Sequence, residues 1–325
     1  MVTSSVRKLI PRGVREGLSS AEDFIRFDLY ANRVVAPRVR ADLAARDKPL
    51  CHLLVLGTPR SGTTIFGRLL NANPAIAGFG ESRTDYSRPR DLDRLTYRTA
   101  AMVDDFDPKS TDWVFDKIVG PFDVSNAVVA NPNLHFIFIA RNPFAIYNSM
   151  VKLFDLPNTP ETATDWSREH SQRIDQLLGT LQQDLGGRAT WFTYEDLLEH
   201  SVATLSHLSE FMNLDEPLTD TFPATTGRAR LKYGDPSGNA AAGRLVKPKV
   251  LTPVPDPEIF NDELIEFVEQ THQRYITGLR SLGPRLLPAT GSEKAEGGKT
   301  AHVVPQHEAP TDVPSRDVVR NSDGG

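Results

Sequence analysis

The stretch Cys51 to Leu70, CHLLVLGTPRSGTTIFGRLL, decides the fold. Its first part is a short apolar run that stops at Gly57. From Ser61 to Asn73 the apolar residues take the spacing of a helix, so the stretch reads as strand, glycine turn and helix. Outward from it the same alternation continues. Apolar strand candidates lie at Trp113 to Asp116, His135 to Ala140 and Thr190 to Thr193. Helices are predicted over Arg88 to Val103, Phe144 to Leu153, Thr162 to Leu185 and Glu195 to Met212. Strands alternating with helices build an α/β domain, a central mostly parallel sheet flanked by helices in three layers. The loops that follow the strands then gather at one edge, where chemistry is to be sought.

The turn itself has the composition of an anion cradle. In Gly57-Thr58-Pro59-Arg60-Ser61-Gly62-Thr63-Thr64, backbone N–H groups at a helix start converge on a ligand and the helix dipole adds to the attraction. Gly62 lets the backbone approach closely, and Thr63 and Thr64 add hydroxyl donors. A nucleotide-triphosphatase loop requires Gly-Lys before Ser or Thr, and here Thr63 stands where that lysine would be. The nearby cation is Arg60, inside the loop, which suits a donor with a shorter anionic tail. The alternative is a bare glycine turn without a ligand.

A second anion motif lies at His135 to Ser149. An apolar strand delivers Arg141 to the sheet edge, and Pro143 opens a helix at its favoured first position. Ser149 follows Arg141 by about two helical turns. An arginine fork with a hydroxyl suits a phosphate dianion.

The segment Pro59 to Thr64, PRSGTT, resembles the 5′-phosphosulfate loop of the sulfotransferase family, and the Arg141/Ser149 pair resembles that family's 3′-phosphate motif. The resemblance implies a P-loop-like domain over residues 50–287 and, as co-substrate, 3′-phosphoadenosine 5′-phosphosulfate (PAPS), with no metal. It implies that Arg60, Ser61, Gly62, Thr63 and Thr64 hold the 5′-phosphosulfate and that Arg141 and Ser149 hold the 3′-phosphate. Trp191 to Leu197 is similar to the family's Tyr-Glu-Asp-Leu segment, which implies an adenine contact for Tyr194. The chain departs from cytosolic animal members, which carry Lys in place of Arg60 and Trp in place of Ile65.

Transfer of a sulfuryl group needs a base for the acceptor proton and cations for the charge that develops. No histidine stands between His52 and His135, where many cytosolic members place their base. Glu81, in Gly78-Phe79-Gly80-Glu81, is the candidate base, with Asp85 in reserve. Asp116-Lys117 resembles the Asp-Lys that bacterial members place after their third strand. Lys117 would then neutralise the bridging oxygen opposite Arg60; a surface ion pair is the alternative. The basic segment Gly227 to Asp235 is loosely similar to the family's Arg-Lys-Gly loop, in a different order.

The remaining features bound the function. The chain has 325 residues and a formal net charge of −5, which argues against a general nucleic-acid partner. Cys51 is the one cysteine, which excludes an internal disulfide and fits a reduced, cytoplasmic setting. Residues 1–49 read as an N-terminal helical segment, with Phe24, Phe27, Leu29 and Val34 on its apolar side and Pro37 breaking or kinking it. Its Arg33, Arg38, Arg40 and Arg46 read as a solvated face, with peripheral contact to an anionic membrane as the alternative. No apolar run is long enough to cross a bilayer. Glu258 to Leu282 is predicted as a last helix, and the polar residues 288–325 as a disordered tail. The expected acceptor is a hydroxyl on a small or lipid-linked molecule: a sugar, a glycolipid or another metabolite. Two rival readings are a kinase-like phosphoryl transferase with a variant loop and a non-catalytic nucleotide-binding protein.

Overall fold

The computed structural model of the chain describes residues 27–78, 80–82, 84–120, 122–223 and 243–283. Five strands form one parallel sheet: β1 Cys51–Gly57, β2 Ile76–Ala77, β3 Trp113–Ile118, β4 Leu134–Ala140 and β5 Ala189–Thr193. Their order is β2-β3-β1-β4-β5. The chain therefore leaves β1 for the far edge, returns beside it as β3, and crosses it to reach β4. Connections on either side of β1 run in opposite directions, which opens a crevice at the carboxyl ends of its neighbours.

Nine α-helices are described: α1 Ala36–Ala44, α2 Thr63–Ala72, α3 Arg90–Met102, α4 Asn126–Val129, α5 Pro143–Phe154, α6 Pro160–Leu181, α7 Tyr194–Glu199, α8 Ser201–Phe211 and α9 Asp262–Arg280. Strand alternation sorts them into two outer layers. Leu53, Val55, Ile137 and Ile139 pack with Phe66, Leu69, Leu205 and Leu208, which places α2 and α8 on one face. Leu54, Leu56, Phe136 and Phe138 pack with Leu92, Leu95, Ile174, Leu177 and Tyr275, which places α3, α6 and α9 on the other. Each such fully buried aliphatic or aromatic side chain contributes about 1.5–3 kcal/mol.

The expected three-layer α/β architecture is what the structure shows, with differences at the ends of elements. β3 runs two residues further than its apolar core suggests, through Asp116 and Lys117 to Ile118, so both charged residues belong to the strand. They are tolerated because each finds partners at the carboxyl edge. The predicted helix over Glu195 to Met212 is two helices, broken at His200, whose backbone (φ −132°, ψ 44°) is not helical.

Beside the sheet, the helical path 27–44 runs through a π-turn at Ala31–Val35, and Pro37 sits in the first turn of α1 instead of ending the helix. Its buried residues are Phe27, Ala31, Ala36 and Val39, whereas Leu29 and Val34 are about half exposed at 48% and 52%. Arg46 is also turned inward. It pairs with Asp112 at 2.6 Å and donates to the carbonyls of Pro108 and Thr111. The predicted tail 288–325, Phe24 and the basic segment Gly227 to Asp235 lie outside the described residues.

Candidate active site

The carboxyl end of β1 turns sharply into α2. Gly57 cannot carry a side chain there, because a Cβ would collide with Ser61 Oγ and lie 3.0 Å from Thr63 Cγ2. Thr58 O accepts the Ser61 N–H at 3.1 Å, closing the turn. Arg60 takes a left-handed φ of 67°, unusual for a side-chain-bearing residue, and Gly62 follows at φ 99° as the N-cap of α2. These two turns aim the loop and the helix start into a cleft of about 660 Å³. Its lining includes Arg60, Gly62, Thr63, Thr64, Arg141, Ser149 and Tyr194.

The second anion motif meets the first directly. Arg60 Nε donates to Ser149 Oγ at 3.0 Å, and Arg141 Nη1 donates to Arg60 O at 2.6 Å. The Arg141 guanidinium carbon lies 4.5 Å from the Tyr194 ring centre, a cation–π contact. Gly62 presses on that same ring, since a Cβ there would come within 2.6 Å of Tyr194 Cε2. Loop, β4 exit and β5 exit are thus locked into one unit. Local capping holds each exit. Asn142 Oδ1 accepts the Ala145 N–H at 3.0 Å, and Thr193 with Asp196 forms a capping box under Tyr194. Burial raises the Glu195 carboxyl above its ordinary pKa, and its Oε1 accepts the Asn142 N–H at 3.0 Å.

Among the described residues, Ser61 Oγ and Arg141 Nε, two buried polar groups of this unit, find no protein partner. A buried donor left without an acceptor costs about 1–3 kcal/mol, so both fit an anion that brings its own oxygens. Burial lowers the Arg141 pKa, yet an arginine stays charged at neutral pH.

A second group gathers at the end of β3. Lys117 Nζ donates to Thr64 Oγ1 at 2.8 Å and pairs with Glu81 at 3.0 Å, with the lysine side chain 4% exposed and the glutamate 38%. Glu81 is placed by both of its neighbours. Gly80 O accepts the Lys117 N–H at 3.0 Å, and the Ser82 N–H donates to Asp116 Oδ1 at 2.8 Å. Asp116 also accepts from Ser82 Oγ at 2.5 Å and Tyr86 Oη at 2.7 Å. Burial pushes its carboxyl up to about 6 despite these donors. From the other side Arg98, paired with Asp28 at 2.8 Å, donates to Ser82 O and Thr84 Oγ1. The loop that carries Glu81 is therefore clamped between β3 and α3.

Thr64 belongs to both groups, as it lines the cleft and holds Lys117. The structure so brings Arg60, Gly62, Thr63, Thr64, Arg141, Ser149 and Tyr194 to one cleft, with Ser61 fully buried within the loop and Lys117 joining Glu81 to Thr64. Asp85 is exposed and accepts from Ser87 Oγ at 2.7 Å, away from this arrangement. His52 lies near the amino end of β1, bonded to Thr96 Oγ1, and burial lowers it to about 4.

Four participants carry no motif signature. Asn148 and Lys152 line the cleft on the same helix as Ser149, Ser82 anchors the Glu81 loop, and Arg173 binds the ends of β1 and β3. The one signal for Arg173 is its place in the apolar stripe of α6, with Ile174 and Leu177.

No curated protein matches the chain significantly in sequence. Among solved structures it is similar to the sulfotransferase STF9 from Mycobacterium avium (TM-score 0.41, 14% identity, 78% of this chain and 84% of that one). It is also similar to the sulfotransferase domain of the Synechococcus PCC 7002 olefin synthase (TM-score 0.39, 14% identity, 71% and 96%). A third is mouse sulfotransferase SULT7A1 complexed with PAP (TM-score 0.37, 16% identity, 56% and 65%). The sequence profile of the sulfotransferase family matches residues 53–220, just over half of the 325 residues, which takes in β2 to β5 and all of β1 but its first two residues. With the loop after β1, the arginine after β4 and the lysine of β3 all inside that span, the chain belongs to the sulfotransferase family.

Proposed function

We propose that the chain moves a sulfuryl group from PAPS to a hydroxyl of a small or lipid-linked acceptor, with Glu81 as base. The observation that carries this reading is the position of Lys117, held between Thr64 of the phosphate loop and Glu81. A cation at the donor loop thereby adjoins a carboxylate that can take a proton.

The residues divide the work as follows. Ser61, Thr63, Thr64 and the N–H groups at the start of α2 hold the 5′-phosphosulfate, and Arg141 with Ser149 holds the 3′-phosphate. Tyr194 borders the adenine. Arg60 now bonded to Ser149 exchanges that hydroxyl for the donor's oxygens. The acceptor oxygen forms a bond to sulfur as the bond from sulfur to the 5′-phosphate oxygen breaks. Glu81 takes the acceptor's proton, and Lys117 and Arg60 neutralise charge on the departing oxygen.

Titration calorimetry with adenosine 3′,5′-bisphosphate, AMP and ATP tests the donor. The bisphosphate is expected to bind tightest, and preference for ATP would replace this reading with phosphoryl transfer. Mass spectrometry over an acceptor panel, looking for the gain of one sulfuryl group, tests the reaction. Glu81→Gln and Lys117→Met should each lower kcat by roughly 10²–10³-fold while bisphosphate affinity stays within a few fold. Activity unaffected by both changes refutes this reacting centre.

A further inference from the structure

Beyond the residues that face the cleft, one buried cation holds the cleft's floor. β1 and β3 run in register up to the pair Leu56 and Ile118. Past that pair β1 continues beside β4, with Gly57 opposite Ile139, and parts from β3. Such a fork leaves strand carbonyls without ladder partners inside the protein. Arg173, from the middle of α6, fills it. Its Nε and Nη2 donate to Gly57 O at 3.2 and 2.9 Å, and Nη2 also donates to Ile118 O at 2.9 Å. Nη1 donates to Gln176 Oε1 at 3.2 Å, and Phe122 covers the guanidinium at 4.4 Å.

The residue is 5% exposed, and among the described residues it pairs with no carboxylate. Burial lowers it to about 10, so it is charged at neutral pH. A buried arginine spent on two carbonyls is costly if its only task is to fill space, because apolar residues would do that without desolvating a charge. The two carbonyls it joins are informative. Gly57 opens the turn that presents Arg60 to Thr64, and Ile118 follows Lys117.

We propose that Arg173 is a positioning residue for the anion site: it ties the first residue of the phosphate loop to the end of the strand that carries Lys117, and so sets the loop's approach to its ligand. This rests on the reading of the cleft as a site for adenosine 3′,5′-bisphosphate and its sulfated form. The contact acts through Gly57 and Ile118 and touches no substrate.

The test compares Arg173→Met and Arg173→Lys with Leu177→Ala, a buried residue one turn further along α6 whose loss weakens the same helix without touching the fork. Each full-length variant is melted and titrated with adenosine 3′,5′-bisphosphate. Arg173→Met is expected to lose about tenfold in affinity or more, as displacement of a positioning group can cost up to roughly a hundredfold. Leu177→Ala should melt at least as early and bind within about twofold of the parent, a loss worth well under one hydrogen bond. Arg173→Lys reaches one carbonyl and should fall between. Affinity lost no more in Arg173→Met than in Leu177→Ala overturns the proposal. So does an Arg173→Lys variant that binds like the parent while Arg173→Met fails to fold. A parent protein that does not bind the bisphosphate refutes the reading of the cleft itself, which separates that failure from this one.

Discussion

Replacing Gly62 by alanine tests whether loop, Tyr194 and Arg141 act as one unit. Gly62 has φ 99°, where an L side chain costs about 1–2 kcal/mol. Its new Cβ would lie within 2.6 Å of Tyr194 Cε2 and nearer still to Cδ2, so the ring must move. The move disrupts the stacking of Arg141 at 4.5 Å, worth about 0.5–2 kcal/mol at a partly buried site. Together these imply a loss of about 2 kcal/mol or more, or a melting temperature lower by roughly 4–8 °C in a domain of this size. Affinity for adenosine 3′,5′-bisphosphate should fall more than tenfold, because both cradles shift, and a tenfold change is about 1.4 kcal/mol. Gly179→Ala is the control. Its Cβ meets nothing within 4 Å in the last turn of α6, so it should stabilise by at most about 1 kcal/mol and leave binding unchanged. Thermal melts and calorimetry of both variants suffice. A Gly62→Ala protein that melts and binds like the parent would show that the close approach to Tyr194 has no bearing on the site.

Two further expectations follow from the same geometry. Ser149→Ala should reduce the preference for adenosine 3′,5′-bisphosphate over AMP by about 10–100-fold, the worth of one hydrogen bond to a charged group, and equal loss for both nucleotides would remove Ser149 from the 3′-phosphate. Stability should fall on acidification: burial holds His52 at about 4 and His170 at about 3 in the folded chain, so the unfolded chain takes up protons first, beginning near pH 6.5. Each histidine then costs about 1.4 kcal/mol per pH unit below that point. Asp116, raised to about 6, works the other way and returns about 1 kcal/mol by pH 5.5. His272, which burial also holds at about 4, adds a third such cost, so the net effect is a loss of about 3 kcal/mol between pH 7.5 and 5.5, measurable as a melting temperature several degrees lower. A melting temperature unchanged over that interval contradicts the burial of these imidazoles.

Much of this arrangement is legible along the chain, because its determinants are local. Apolar runs of strand length, the glycine after β1, the proline that opens α5 and the hydroxyls at the start of α2 each act within a few residues, so composition alone sets them. Period and turn chemistry therefore determined the α/β class, the phosphate loop and the placement of Arg141 just past the end of β4 and of Ser149 within α5. Where local signals compete, the reading slips. Lys117 and Ile118 lie beyond the run that reads as a strand, yet sheet pairing and buried partners keep them in β3. Leu29 and Val34 look like a buried stripe, but the π-turn rotates the path and buries Ala31 instead.

What only the tertiary structure decided is which groups meet. Lys117 finds Thr64 across 53 residues, Arg60 finds Ser149 across 89, and Arg173 finds Gly57 across 116. No periodicity encodes such contacts, since they arise from the strand order β2-β3-β1-β4-β5, which brings the ends of β1, β3 and β4 side by side. Sequence supplied the donors and acceptors of this sulfotransferase-family chain; the crossing of the chain over β1 brought them within hydrogen-bonding distance.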